Sequence, residues 1–245
     1  MKRGTGQKKT LTAKYLKPFF LRAYKAAVLI KTIRPGIGKS FKFGSANVKF
    51  YLNGKNINFP PFRMTERSIE LALADMFISQ YRYEDLIEVG AVSPYYWPRR
   101  IKTIVDPYDT HPLVTHREDW ITHQGKYNAI LSISTFEHIG LSDYGLVGDL
   151  EKSDIALSKL ISSASDFLVT WPAGYNNYLD QSVLKKIPTW PKVNLFVWER
   201  GTTGNKWEEI HDINKRKNKF TYGPYWANTL FVLYRGPGLL SSSKD

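Results

Sequence analysis

Residues 86–96 read LIEVGAVSPYY, and this stretch decides the fold. A short apolar run (Leu86, Ile87, Val89) is interrupted by an acid, Glu88, and the chain then turns on Gly90. A second strand-like run, 101–105, ends in Asp106, eighteen positions after Glu88. Two strands, each with a carboxylate at its tip and joined through a glycine turn, read as a βαβ unit whose strand ends suit a nucleoside.

Outward from this unit the pattern alternates. Residues 65–80 read as a helix, with Thr65 as cap and Ile69, Leu71, Leu73, Met76 and Phe77 as its apolar face. Strands are expected at 85–89, 101–106 and 129–133, followed by a loop at 134–144, a helix at 150–163 and a strand at 167–171. Two later apolar runs, 193–198 and 229–234, read as a closing strand pair. Strands alternating with helices imply an α/β domain with a mostly parallel sheet and helices on both faces.

The first quarter of the chain is different. Residues 1–67 hold 16 Lys and Arg but a single acid, Glu66, whereas 68–245 hold 19 against 21. The formal charge of +13 is therefore a property of one segment, which suits contact with an anionic partner. After a basic tail (1–10), residues 12–33 read as an amphipathic helix stopped by Pro35-Gly36. Residues 40–59 read as two strands hinged on Asn53-Gly54, the strongest short hairpin signal. Pro60-Pro61 closes this region, so the chain divides into a basic extension (1–60) and an α/β domain (61–245).

Composition sets outer bounds. Apolar content of 42% and seven tryptophans imply a packed core. The absence of cysteine excludes disulfides, thiolate metal sites and cysteine nucleophiles. No run of about 18 apolar residues occurs, and MKRGTGQKKT is not followed by a secretory apolar core, so a cytoplasmic protein, peripheral to a membrane at most, is expected.

From Glu88 onward the order of features resembles the class I S-adenosylmethionine-dependent methyltransferases. Four pieces carry the resemblance: Glu88-Val89-Gly90; Asp106 in Val105-Asp106-Pro107-Tyr108; Asp119-Trp120; and ILSISTFEH, residues 130–138. The resemblance covers roughly 65–235. It implies a Rossmann-like, mostly parallel seven-stranded sheet with S-adenosylmethionine across the strand ends. Glu88, Val89, Gly90, Asp106, Asp119, Trp120 and Ser134 would bind that cofactor, Asp106 at the ribose hydroxyls and Asp119 at the adenine amino group beside Trp120. The family's turn usually carries more glycines; here Val92, Ser93 and Pro94 follow Gly90-Ala91. That counts against a dinucleotide, whose pyrophosphate needs bare backbone, and is tolerable for a cofactor without phosphate.

His138 is the candidate general base, with Glu137 to orient it or act in its place. The pattern SxSxFEHxGLxxYG (132–145) resembles small methyltransferase-like domains linked to glycan modification, which implies a sugar or glycan hydroxyl as acceptor. The basic helix suits an anionic membrane surface. Two rivals stand beside this reading. An RNA methyltransferase would grip phosphates with the basic segment, although no Asn-Pro-Pro-Tyr-like loop or Lys-Asp-Lys-Glu set is present. A methyltransferase-like module without catalysis would act by binding alone. His111, His116 and His123 fit no compact ligand spacing, so no metal site is predicted there, and a carboxylate-held divalent ion stays open.

Overall fold

A computed structural model describes residues 40–49, 65–145, 147–200, 207–215 and 227–237. The expected helix at 12–33 and the Asn53-Gly54 hinge lie outside these residues. A different hairpin is present: β1 (Ser40–Phe43) and β2 (Ala46–Lys49) pair antiparallel about Gly44-Ser45, where Gly44 takes φ 55°. Alternation throws Phe41 and Phe43 to one side of β1, where Phe41 meets Trp198 edge-on at 4.9 Å and Phe43 meets Phe196 and Tyr234. The hairpin's apolar side is thus part of the main core.

Helix α1 (Glu66–Ile78) starts at Thr65, whose backbone is extended as a cap's should be, although its hydroxyl makes no capping bond. The other elements are β3 (Leu86–Val89), β4 (Thr103–Val105), β5 (Tyr127–Ile133), α2 (Glu151–Ser163), β6 (Ala164–Pro172), α3 (Asn177–Lys186), β7 (Asn194–Arg200), β8 (Trp207–Ile210) and β9 (Thr229–Arg235). They build a seven-stranded sheet of order β4-β3-β5-β6-β9-β7-β8. Pairing is parallel from β4 to β6 and antiparallel around β9 and β8, so the sheet is mostly parallel, as expected.

The sheet separates two apolar cores. Ile69, Leu73 and Phe77 of α1 pack with Leu86, Ile104, Leu131 and Leu168 on one face. Ala156, Leu157 and Leu160 of α2 and Leu179 and Val183 of α3 pack with Ile87, Val89, Ile130 and Phe167 on the other. Neighbours along a strand go to opposite cores, which is why β3 and β5 read as nearly unbroken apolar runs. Among the described residues no helix is long and apolar enough to cross a membrane.

One expectation needs correction. The unit at β3–β4 carries no α-helix; Ser93–Tyr95 forms a single 3-10 turn, with Pro94 inside it. The parallel pair is joined instead by an irregular crossover.

Candidate active site

Parallel strands leave a crevice beyond their carboxyl ends, and ligands of open α/β sheets bind there. In this chain the crevice is a cavity of about 500 Å³ at the ends of β3, β4 and β5. That volume suits a nucleoside carrying an amino-acid tail. Val89, Gly90, Asp106, Asp119, Trp120, Ser134 and His138 all line it. Glu88 and Glu137 do not.

The turn after β3 is built by close approach. Gly90 has φ 87°, and its amide donates to the Val105 carbonyl at 2.9 Å. A Cβ placed there would lie 2.0 Å from Thr135 Oγ1, so the glycine is needed both for its backbone and for its missing side chain.

Two acids then hold the turn. Glu88 is fully buried and accepts from the Val92 and Ser93 amides, at 3.1 and 2.7 Å, and from the Ser93 hydroxyl. Burial pushes its carboxyl up to about 7, against the hydrogen bonds and with a smaller push from Asp106. Glu88 thus clamps the turn from beneath rather than reaching a ligand in the cavity. Asp106 works from the cavity side: Oδ2 accepts the Ala91 amide at 3.1 Å, and Oδ1 accepts the Tyr108 and Asp109 amides, both at 2.8 Å. The two amides fill the lone pairs of Oδ1, so Oδ2, which accepts one amide, is the oxygen with capacity left for a hydroxyl donor.

At the far wall, Asp119 Oδ1 accepts the Ile121 amide at 2.8 Å. Trp120 is buried, with its indole N–H 3.4 Å from the Ala156 carbonyl and Lys159 Nζ 4.8 Å from its ring. Tyr108 and Tyr144 stack at 5.1 Å with planes 18° apart, and both line the cavity. Burial first, then the neighbouring acids (Asp119 and Asp106 for Tyr108, Asp106 and Asp143 first for Tyr144), raise both phenols above their ordinary range. Asp106, Asp109 and Asp119 line the cavity against a single lysine, Lys152, and this acidic lining favours a cationic ligand.

The loop after β5 supplies the remaining groups. Ser134 adopts φ 43°, and its hydroxyl donates to Glu70 Oε1 at 2.7 Å. His138 sits on a 3-10 turn (Phe136–His138) with Nδ1 2.6 Å from Asp143 Oδ2. The same carboxylate oxygen accepts from the Tyr175 hydroxyl at 3.0 Å, and the Tyr175 ring stands edge-on to the imidazole at 4.8 Å. A carboxylate only accepts, so Nδ1 carries the imidazole proton and Nε2 presents its lone pair. Glu137 is buried, and its Oε1 stays 4.0 Å from His138 Nε2, beyond hydrogen-bond reach. Burial, then Glu70, holds its carboxyl well above the ordinary range.

Asp143 and Tyr175, which orient His138, were not legible beforehand. The pattern at 132–145 leaves Asp143 unspecified, and Tyr175 arrives from beyond β6. A further difference concerns the histidines: His116 and His123, together with Glu118, bring ligand atoms within 4.8 Å of one another, a grouping their spacing did not suggest.

No protein-family model matches the chain, and no curated protein does. Solved structures do show likeness. Magnesium protoporphyrin IX methyltransferase from Synechocystis PCC 6803, with bound S-adenosylmethionine, is 11% identical and matches 89% of this chain and 96% of its own at a TM-score of 0.42. The same enzyme with S-adenosylhomocysteine gives 14%, 89% and 100%, and 0.35. A Pyrococcus horikoshii protein described as a candidate RNA methyltransferase gives 10%, 86% and 96%, and 0.38. The strand order, with the cavity at the ends of β3, β4 and β5, is what places the chain. The fold is Rossmann-like, a mostly parallel seven-stranded sheet with helices on both faces.

Proposed function

We propose that this chain is an S-adenosylmethionine-dependent O-methyltransferase acting on a sugar or glycan hydroxyl. The observation that carries the reading is one cavity lined together by Asp106, Asp119, Trp120, the turn at Gly90 and an oriented imidazole, His138. The donor set fits the cofactor. Asp106 would accept from the ribose hydroxyls, Asp119 Oδ2 from the adenine amino group, and Trp120 would lie beside the ring. The acidic wall suits a sulfonium cation. When bound, S-adenosylmethionine supplies an electrophilic methyl group.

This chain's own residues do three things. The turn at Gly90-Ala91, fixed by Glu88 and Asp106, sets where the ligand lies, and such positioning supplies much of the acceleration in a displacement at carbon. The Tyr108–Tyr144 stack lines the cavity and offers an aromatic surface to the ligand. His138 Nε2 takes the proton of the acceptor hydroxyl, while Asp143 stabilises the imidazolium that forms. The basic first quarter would bring the enzyme to an anionic membrane surface.

The same basic quarter favours a second reading, RNA methylation. Salt separates the two, because phosphate contacts weaken log-linearly with salt and contacts to a neutral sugar do not. The first test is a thermal shift with S-adenosylhomocysteine, which should raise the melting temperature by mass action. Methyl uptake from labelled cofactor onto a panel of glycans and RNAs then identifies the acceptor. No shift at millimolar ligand would refute both enzymatic readings and leave a binding module.

A further inference from the structure

His116, Glu118 and His123 lie on the segment between β4 and β5, away from His138. We propose that they bind a divalent transition-metal ion, zinc being the best fit, which staples the loop carrying Asp119 and Trp120. Two imidazoles and a carboxylate within 4.8 Å form a borderline-soft donor set that suits zinc, cobalt or nickel better than magnesium or calcium.

The site is supported from outside. A ligating histidine usually has its other ring nitrogen held by a hydrogen-bond partner, which fixes the ring. Both histidines have such a partner. His123 is buried; its Nε2 is bonded to the Tyr127 hydroxyl, and Nδ1 faces Glu118 Oε1 at 2.8 Å. His116 Nδ1 is 2.9 Å from Thr115 Oγ1, which leaves Nε2 for a cation. The backbone anchors the trio as well. The His116 carbonyl accepts the Asp106 amide at 3.0 Å, and the His123 amide donates to the Asp119 carbonyl at 3.0 Å.

A tetrahedral zinc site places its ligand atoms about 3.3 Å apart, from bonds of about 2.0–2.1 Å. The present spread therefore has to contract by about 1.5 Å. Buried His123 is the fixed member, and His116 and Glu118, which are exposed and half-buried, can close on it. Lys159 is the opposing charge nearby; its ammonium is held by the carbonyls of Ile121 and His123. The competing structural explanation is a Glu118–His123–Tyr127 hydrogen-bonded chain, and His116 has no place in it.

That difference defines the test. Tag-free full chain, stripped with chelator, is titrated with zinc and with cobalt at pH 7.5, by calorimetry and by thermal shift. Uptake of one ion per chain is expected, with a raised melting temperature and a cobalt visible band of tetrahedral type. His116→Ala and Glu118→Gln should each weaken zinc binding at least about tenfold, while His116→Ala leaves the metal-free melting temperature unchanged. His138→Ala should bind zinc as the parent does. Absence of saturable uptake at about 100 μM metal, or parent-like affinity in both His116→Ala and Glu118→Gln, would overturn the site. The readout is metal, so it is independent of whether the chain transfers methyl groups.

Discussion

The Nδ1 atom of His138 lies 2.6 Å from Oδ2 of Asp143, and the Tyr175 hydroxyl donates to that same oxygen at 3.0 Å. Under the proposed function this pair orients the imidazole so that Nε2 would act as the base. His138→Ala should lower turnover about 10²–10⁴-fold, the usual contribution of a general base. Asp143→Asn should lower it less and shift the pH profile of turnover, because the amide can stabilise the wrong tautomer. Both variants should bind S-adenosylhomocysteine as the parent does in calorimetry. Full activity in His138→Ala would remove it from the mechanism.

Asp106 has a structural duty in the turn, and under the proposed function it would have a second one at the ligand. Asp106→Ala loses the acceptor for three amides as well as the expected ribose contact. Its melting temperature should fall, and the shift induced by S-adenosylhomocysteine should vanish. Asp106→Asn keeps one carbonyl oxygen for the turn. It should recover most of the stability but not the ligand shift, and that split separates the two duties.

Glu88 predicts a pH dependence of stability. Its carboxyl has an ordinary value of 4.5 and is raised to about 7 in the folded chain. The folded state therefore binds more protons than the unfolded state between those values, and the parent loses stability as pH rises through that window. Glu88→Gln imitates the protonated acid and has no such penalty. Relative to the parent, the variant should gain on the order of 3 kcal/mol between pH 4.5 and pH 8. Urea melts of both proteins at pH 5 and pH 8 measure this, and a constant difference would contradict the assignment.

Gly90→Ala meets two obstacles, a φ of 87° and Thr135 Oγ1 at 2.0 Å. A cost of about 1–3 kcal/mol is expected from the backbone and overpacking combined. Thr135→Gly in the same chain should recover only the steric share. Complete recovery would mean that the backbone strain is negligible.

Much of the architecture was legible in the chain. Ile69, Leu73 and Phe77 recur at helical spacing and do form the buried face of α1. The runs at β3, β5 and β6 are apolar on both faces, as strands inside a covered sheet must be. The pairing of Ser40–Phe43 with Ala46–Lys49 about Gly44-Ser45 was not legible, because Gly44-Ser45 is a weaker turn signal than Asn53-Gly54, and the latter lies outside the described residues. Of the strand-end positions, Gly90 and Asp106 line the cavity, whereas Glu88, the other strand-end acid, is buried beneath the turn.

Sequence by itself determined the alternation of elements, the polar punctuation at the ends of β3 and β4, and the concentration of positive charge in one quarter. Those are local quantities, set by periodicity and residue type within a few turns of chain. Tertiary structure alone decided that Glu88 points into the interior while Asp106 faces the cavity, although both are acids near strand ends. It alone brought Asp143 and Tyr175 to His138, and His116 to His123. Side-chain direction at a strand end depends on which face is covered, and contacts across a loop depend on where the loop closes. Neither is encoded within any short window of residues.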